Sequence, residues 1–294
     1  MASNHRVSPV VAVLLGLAAS ASFSCADFFG GVAARRSNAW LSVLANQAVG
    51  LVPLTVYLLI LLDGGPTTRD VVLSVFAGFA SVAGLSLLFG GFAVGRMAVV
   101  APVSAGIGGV IPILWGLLQG ERPGPLALLG AAITLSAAVV LARSEAPIAD
   151  AEVDLPDDDG KAALMAVGAG VAFGVILICF SETSEAAGLW PPMIAHFVAI
   201  PTLVLGLTVT GRSLVAPPEA RRPMLASGFF DATAIALLLV ALRQDLVSLV
   251  APAANLYPAG TALLAALVLG EHLRRVQILA LAAAMVGLVM LAAG

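Results

Sequence analysis

Apolar residues in this chain come in ten long runs separated by short polar breaks. The runs lie near residues 8–30, 39–62, 70–95, 97–118, 124–143, 161–181, 188–211, 223–242, 246–269 and 273–293. Each holds about the 20 apolar residues that a helix needs to cross roughly 30 Å of hydrocarbon. The breaks carry polar or turn-forming residues: Arg35 and Arg36, Asp63 to Pro66, Arg96, Glu121 to Gly124, Arg212 to Pro223, and Arg243 to Asp245. Several are so short that neighbouring helices must be adjacent and antiparallel. The pattern predicts an all-α polytopic membrane protein with ten transmembrane helices. The first run follows a single Arg and has the look of a signal peptide, but it continues past Ala26 toward Gly30 and further runs follow. It is read as the first retained helix.

One stretch of this pattern occurs twice. Val100, Ala101 and Pro102 open an apolar run that ends at Gly120 and Glu121; Val250, Ala251 and Pro252 open another that ends at Gly270 and Glu271, at a constant offset of 150. The register continues without a gap through Leu114 and Leu264, Leu117 and Leu267, Leu129 and Leu279, Val139 and Val289, and Leu141 and Leu291. The shared Pro and the shared Gly-Glu pair do not follow from an Ala/Leu/Val-rich composition, so the chain is read as a duplication. Residues 144–160 hold seven of its 17 acidic residues and form the one long polar segment, placed where two five-helix units would be joined. The expected domains are a first repeat over 1–143, an acidic linker over 144–160 and a second repeat over 161–294. Because five is odd, the second repeat enters the bilayer with the opposite orientation, an inverted-repeat arrangement common among secondary transporters.

Composition narrows the function. With 60% hydrophobic and 11% charged residues the chain cannot cover a soluble surface. A net charge of −3 leaves no basic face for nucleic acid. Cys25 and Cys179 have no metal-ligand or disulfide spacing and are read as buried packing residues. No catalytic or metal-binding pattern is present, so neither an enzyme nor a cofactor is expected. With the termini inside, the inner loops would hold Arg6, Arg69, Arg122 and Arg243, and the other side would hold Arg35, Arg36, Arg96, Arg143, Lys161, Arg212, Arg221, Arg222, Arg274 and Arg275. This tally argues for termini outside. Trp40, Trp115 and Trp190 are read as interface markers.

Ionisable side chains inside a span are costly and usually face a cavity or a partner. Asp231 lies in the middle of the eighth run and Asp27 toward the end of the first, which makes them the candidates for proton coupling, Asp231 foremost. His196 is read as a structural hydrogen-bonder, Asn46 and Gln47 as packing residues, and the Gly170/Gly174 pair as a close helix contact. Pro258 is expected to free a backbone carbonyl within the ninth run, where Asn255 and Tyr257 supply polar groups. With Ser24, Ser104 and Asp231 these form the candidate substrate site. The Gly-rich run from Gly106 to Gly109 is expected to let the fourth helix approach a solute closely.

The segment LVAPAANLYPAGTALLAALVLGEHLRRVQILALAAAMVGLVMLAAG resembles the end of the EamA-type repeat of the drug/metabolite transporter superfamily, where a Pro lies thirteen residues before the Gly-Glu ending, as Pro258 does before Glu271. The first copy departs from this, with Gly108 at the matching position, while CADFFGGVAARR also looks like members of the family. The resemblance implies two inverted five-helix units around a central cavity, both termini in the cytoplasm, and a bacterial inner-membrane protein. It implies export of small metabolites, most of all amino acids, by alternating access. The expected partners are a small-molecule substrate and the lipid bilayer, with the chain acting as a monomer. The alternatives are a proton-coupled multidrug exporter, with Asp231 as its deep carboxylate, and a non-transporting membrane scaffold or embedded enzyme.

Overall fold

The computed structural model describes residues 9–61, 64–120, 124–143, 159–242, 253–254, 256–271 and 273–293. Asn255, the linker over 144–158, Glu121, the second Val-Ala-Pro at 250–252 and the break from Arg243 to Asp245 lie outside the described residues. Among the described residues the ordered elements are ten α-helices and one 3-10 turn, with no strand. The helices are α1 (Pro9–Arg36), α2 (Ala39–Leu61), α3 (Thr68–Val94), α4 (Met97–Leu118), α5 (Pro125–Arg143), α6 (Asp159–Ser181), α7 (Trp190–Val209), α8 (Pro218–Leu242), α9 (Tyr257–Leu269) and α10 (Arg275–Ala293).

Six of them, α1 to α4, α6 and α7, are long and apolar enough to cross a membrane; α5, α9 and α10 are shorter apolar helices. Helix α8 carries Glu219, Arg221, Arg222 and Asp231. Large apolar side chains point outward, as at Leu118, Val209, Leu267 and Leu164. Small and polar ones such as Ala77, Ala101, Ser74 and Gln47 are buried. That distribution suits lipid, where close helix packing and interhelical hydrogen bonds take over from hydrophobic burial.

Three expectations are corrected. Helix α1 runs through Arg35 and Arg36, and α8 begins five residues before Pro223, because charged turns of a helix can project beyond the apolar layer without unwinding. Helix α9 begins at Tyr257, so Pro258 occupies its first turn. A first-turn N–H has no intrahelical partner, and the Pro258 ring removes no hydrogen bond there. Cys25 is half-buried, although Cys179 is buried.

Hydrogen bonds between helix ends fix the helix directions. At one end, the Arg35 guanidinium near the close of α1 donates to the Phe92 and Gly95 carbonyls at the close of α3 (2.7 and 3.0 Å). It also pairs with Glu271 just past α9 (2.8 Å). The same carboxylate accepts from the first two N–H groups of α4, those of Met97 and Ala98 (3.2 and 3.1 Å). Arg36 donates to the Glu219 carbonyl at the start of α8 (3.1 Å), and Arg212, just past α7, lies over the Trp40 ring at the start of α2 (5.7 Å). At the opposite end, Glu182 just past α6 pairs with Arg69 at the start of α3 and accepts from Gln119 just past α4 (3.2 Å). Asp70 completes a capping box with Thr67 and also accepts from Ser184 N–H (2.8 Å), ahead of α7. Thus α1 ends where Arg35 lies, and α6 ends at the other face.

The packing is paired. Helix α1 packs most extensively on α8, α3 on α6, α5 on α10 and α4 on α6, while α1 also meets α9 and α4 meets α9. Both helices that end in Gly-Glu close on a glycine with positive φ, Gly120 at 87° and Gly270 at 67°, a conformation that favours glycine.

Candidate functional site

Helix periodicity assembles the site. Ser20, Ser24 and Asp27, with Phe23 beside them, recur every three to four residues and so form one stripe of α1. Ser227 and Asp231 are one turn apart on α8. The Ser227 hydroxyl donates to the Ala26 carbonyl (2.9 Å) and accepts from Asn46 Nδ2 of α2 (3.0 Å), pinning α8 to α1 beside Asp27. Helix α9 closes the third side. Ser24 Oγ lies within hydrogen-bond distance of both the Ser20 carbonyl (2.8 Å) and the Tyr257 carbonyl (2.9 Å), which also accepts from Thr261 Oγ1 (3.2 Å). A Cβ on Gly260 would collide with Ser24, so the absence of a side chain there is what lets α9 approach α1.

Asp27, Asp231 and Tyr257 lie near one another at this junction. Asp27 lies within electrostatic range of both Asp231 and Tyr257, and all three side chains sit deep in the bundle yet stay half-buried. Among the described residues none donates a hydrogen bond to either carboxylate. Aromatic rings flank the pair: Phe23 against Tyr257 (5.7 Å, tilted) and Phe29 stacked on Phe230 (6.0 Å). The described basic side chains lie at helix ends, so this part of the interior holds two acids and no fixed counter-charge. A group of His, Cys, Asp and Glu able to hold a metal is absent among the described residues.

Of the sequence candidates, then, Ser24, Asp27, Asp231, Tyr257 and Pro258 come together, and Asn255 lies outside the described residues. Ser104 does not join them. It is buried in the contact of α4 with α6, its hydroxyl donating to the Ala101 carbonyl (3.0 Å). The glycine run is likewise committed to packing: a Cβ on Gly106 would lie 2.7 Å from Thr134 Cγ2, and one on Gly108 would lie 3.3 Å from the Gly170 carbonyl. Gly170 and Gly174 make the close helix contact expected of them, against Ile107 and Ile111. His196 Nδ1 donates to the Pro192 carbonyl (2.8 Å), the structural bond expected of it, and leaves Nε2 without a partner. Gln47 donates to Ser81 (2.9 Å). The Trp residues mark helix ends, and Trp115 lies close enough to Glu182 to bear on its carboxyl. With Gln119, Trp115 and Arg69 around it, the Glu182 carboxyl is held below its ordinary range.

An apolar groove of about 510 Å³ between α5 and α10, lined by Ala132, Ser136, Val140 and Val276 among others, includes none of the site residues.

Sequence reading missed two features. Ser227, which positions Asp231, was hidden because one Ser in an apolar run carries no signal. The Arg35–Glu271 pair did have a signal, the repeated Gly-Glu, but the pattern does not say which cation the Glu meets.

Residues 160–293 match the model of the EamA-like transporter family. The second half of this chain is an EamA-like transporter domain of the drug/metabolite transporter superfamily. No curated protein matches the chain. The EamA match covers α6 to α10 and therefore Asp231, Tyr257, Pro258 and Glu271. Asp27 and Ser24 are contributed from outside it, by α1.

Proposed function

We propose that this chain is a secondary transporter that exports small metabolites, amino acids foremost, across the bacterial inner membrane as a monomer, by alternating access. The reading has ten membrane crossings in two inverted five-helix repeats, over 1–143 and 161–294, joined by the acidic linker 144–160. Three observations support the inversion: α1 and α6 end at opposite faces, the 150-residue register pairs the Gly-Glu endings, and most of the major helix contacts map onto one another when five is added to each label.

The observation that carries the functional reading is the meeting of Asp27 from the first half with Asp231 from the second, beside Ser24, Tyr257 and Pro258. Alternating access moves one half against the other around a fixed site, and residues drawn from both halves are what such a site requires. A carboxylate held in the membrane interior without a counter-charge is poised to take a proton or a positively charged group. The α-amino group of an amino acid meets that description, and proton exchange at Asp231 would couple its export. The same pair favours a second reading, proton-coupled export of organic cations.

Proteoliposome flux of labelled amino acids tests the first reading, with labelled organic amines tested in parallel. Flux that is flattened in its pH dependence by Asp231→Asn supports coupling at this residue; absence of flux for every compound rejects the transporter. The arginine-rich end is the one the positive-inside rule places in the cytoplasm, opposite to the orientation implied by the family resemblance. Labelling of Arg275→Cys in cells, on a background lacking Cys25 and Cys179, decides between them.

A further inference from the structure

The corner of the bundle where α1 and α7 end and α2 and α8 begin has features that transport does not use. Arg36, Arg212, Arg221 and Arg222 are all exposed there, with Glu219 as the one acid among the described residues of this corner. Each of three arginines is oriented: Arg36 on the Glu219 carbonyl, Arg221 Nε on the Ala216 carbonyl (3.0 Å) and Arg212 over Trp40. The corner is rigid beneath them, since Ala33, Leu41, Leu207, Ala220 and Met224 form a buried cluster packed by Trp40 and Ala216. Two helix N-termini, of α2 and α8, add positive partial charge. Gly211 ends α7 at φ 65°, and the Arg212 N–H returns to the Leu207 carbonyl (2.9 Å), so the chain turns sharply into the loop. The Ser213 hydroxyl then accepts from Val215 N–H (3.0 Å) and fixes a turn. That turn exposes Leu214 (44%) and Val215 (70%). Ordered apolar side chains displayed between Arg212 and Arg221 would be poorly placed in water. They are well placed at the boundary between headgroups and acyl chains, where basic and apolar groups are satisfied together. Among the described residues the opposite end offers no such chemistry: its charges there are Arg69, Asp70, Glu182 and Glu185.

We infer that the α7–α8 corner is a binding site for anionic phospholipid, with Arg212, Arg221 and Arg222 holding the phosphate-bearing headgroup and Leu214 and Val215 entering the acyl layer. Guanidinium groups suit phosphate because their forked donors match its oxygens. The site selects phosphatidylglycerol over phosphatidylcholine, whose choline cancels the phosphate charge.

Trp40 reports on it directly. The full chain with Trp115→Phe and Trp190→Phe, reconstituted in mixed vesicles, keeps Trp40 as its single Trp, and dibrominated acyl chains on either lipid quench nearby indole. The expected result is stronger quenching by brominated phosphatidylglycerol than by brominated phosphatidylcholine, corresponding to a binding preference of about fivefold or more. The preference falls toward one when Arg212, Arg221 and Arg222 are all replaced by Gln, is kept when all three are replaced by Lys, and shrinks at high salt. A protein that keeps Trp190 as its single Trp, at the opposite end of α7, shows no preference. Equal quenching of Trp40 by the two lipids, a preference that survives the Gln replacements, or an equal preference at Trp190 would overturn the assignment. The salt series on unaltered arginines keeps the test decisive even where the triple variant folds poorly. None of these readouts depends on transport.

Discussion

Two seams of the bundle occupy corresponding places and are built from different chemistry. Helix α1 lies against α8 and α9; helix α6 lies against α3 and α4. Displaced by the same 150 positions, Ser20 and Ser24 of α1 correspond to Gly170 and Gly174 of α6, Asp27 to Leu177, and Asp231 of α8 to Ser81 of α3. The α6 seam is dry. A Cβ on Gly170 would lie 2.6 Å from the Ser104 carbonyl, and one on Gly174 would clash with Ile111, so backbone and branched side chains fill the space. In the α1 seam hydroxyls take the place of the glycines, and the small residue moves to the partner helix, at Gly260. The bundle thus has a close-packed contact at one seam and an acidic junction with hydroxyl groups at the other, and the 150-residue register does not carry the chemistry of the junction from one to the other.

If the dry seam is structural, adding bulk to it should have the largest effect. Gly174→Leu is expected to destabilise the protein by about 3 kcal/mol, as overpacking does where neither neighbour can yield, and to lower the thermal midpoint in detergent. A midpoint unchanged from wild type would mean that the α4–α6 contact is looser than its geometry. Next comes the acidic junction. Asp231→Asn should reduce transport by about tenfold or more and flatten its pH dependence, with Asp27→Asn doing less. Helix content should be kept in both, because the amide is nearly isosteric and ends a charge repulsion. Equal activity in all three proteins would leave the polar seam without a function.

Ser24→Ala sharpens the comparison at a smaller scale. Losing the hydroxyl between the Ser20 and Tyr257 carbonyls should cost about 1 kcal/mol and weaken substrate-dependent flux. Ser104→Ala, on the dry seam, loses only a bond to its own helix and should leave flux as it was. A matching loss of flux in both would remove the distinction between the seams. The smallest effect is expected at Glu182, the polar closure of the dry seam. Its carboxyl is held below the ordinary Glu value of 4.5, so what it contributes is present above that value and is lost as pH falls through the lowered one. The midpoint difference between wild type and Glu182→Gln should therefore be small near neutral pH and close in acid; a difference that widens in acid has the wrong sign for this arrangement.

Much of the frame was legible in the sequence because lipid imposes a simple rule on it. The run over 97–118 coincides with α4, and those over 124–143 and 188–211 miss α5 and α7 by one or two residues at an end. The rule is weakest where charge and helix coexist, so Arg35, Arg36 and Glu219 to Arg222 read as loops although they continue α1 and α8. Asp27 and Asp231 were identifiable singly, each being an expensive residue in an apolar run. Their proximity was not, since it depends on α8 docking on α1, and apolar periodicity does not say which helix meets which. For the same reason Gly106 to Gly109 and Ser104 were given to a solute: a glycine run announces a close approach without naming what approaches.

Glu271 has a consequence for the making of the protein. The carboxylate that neutralises Arg35 and caps α4 is separated from the Met97 N–H it binds by 174 residues of chain. At about 5 to 20 residues per second, the ribosome needs roughly ten to thirty seconds to span that distance. From the completion of α5 at residue 143 until Glu271 is made, the first five helices have been synthesised, yet the Arg35 guanidinium at the end of α1 lacks its carboxylate partner and the start of α4 has two bare amides. The order of synthesis therefore keeps the first half open until α9 arrives, and a chain cut after α5 should be recognised as incomplete by cellular quality control even though each of its helices can insert.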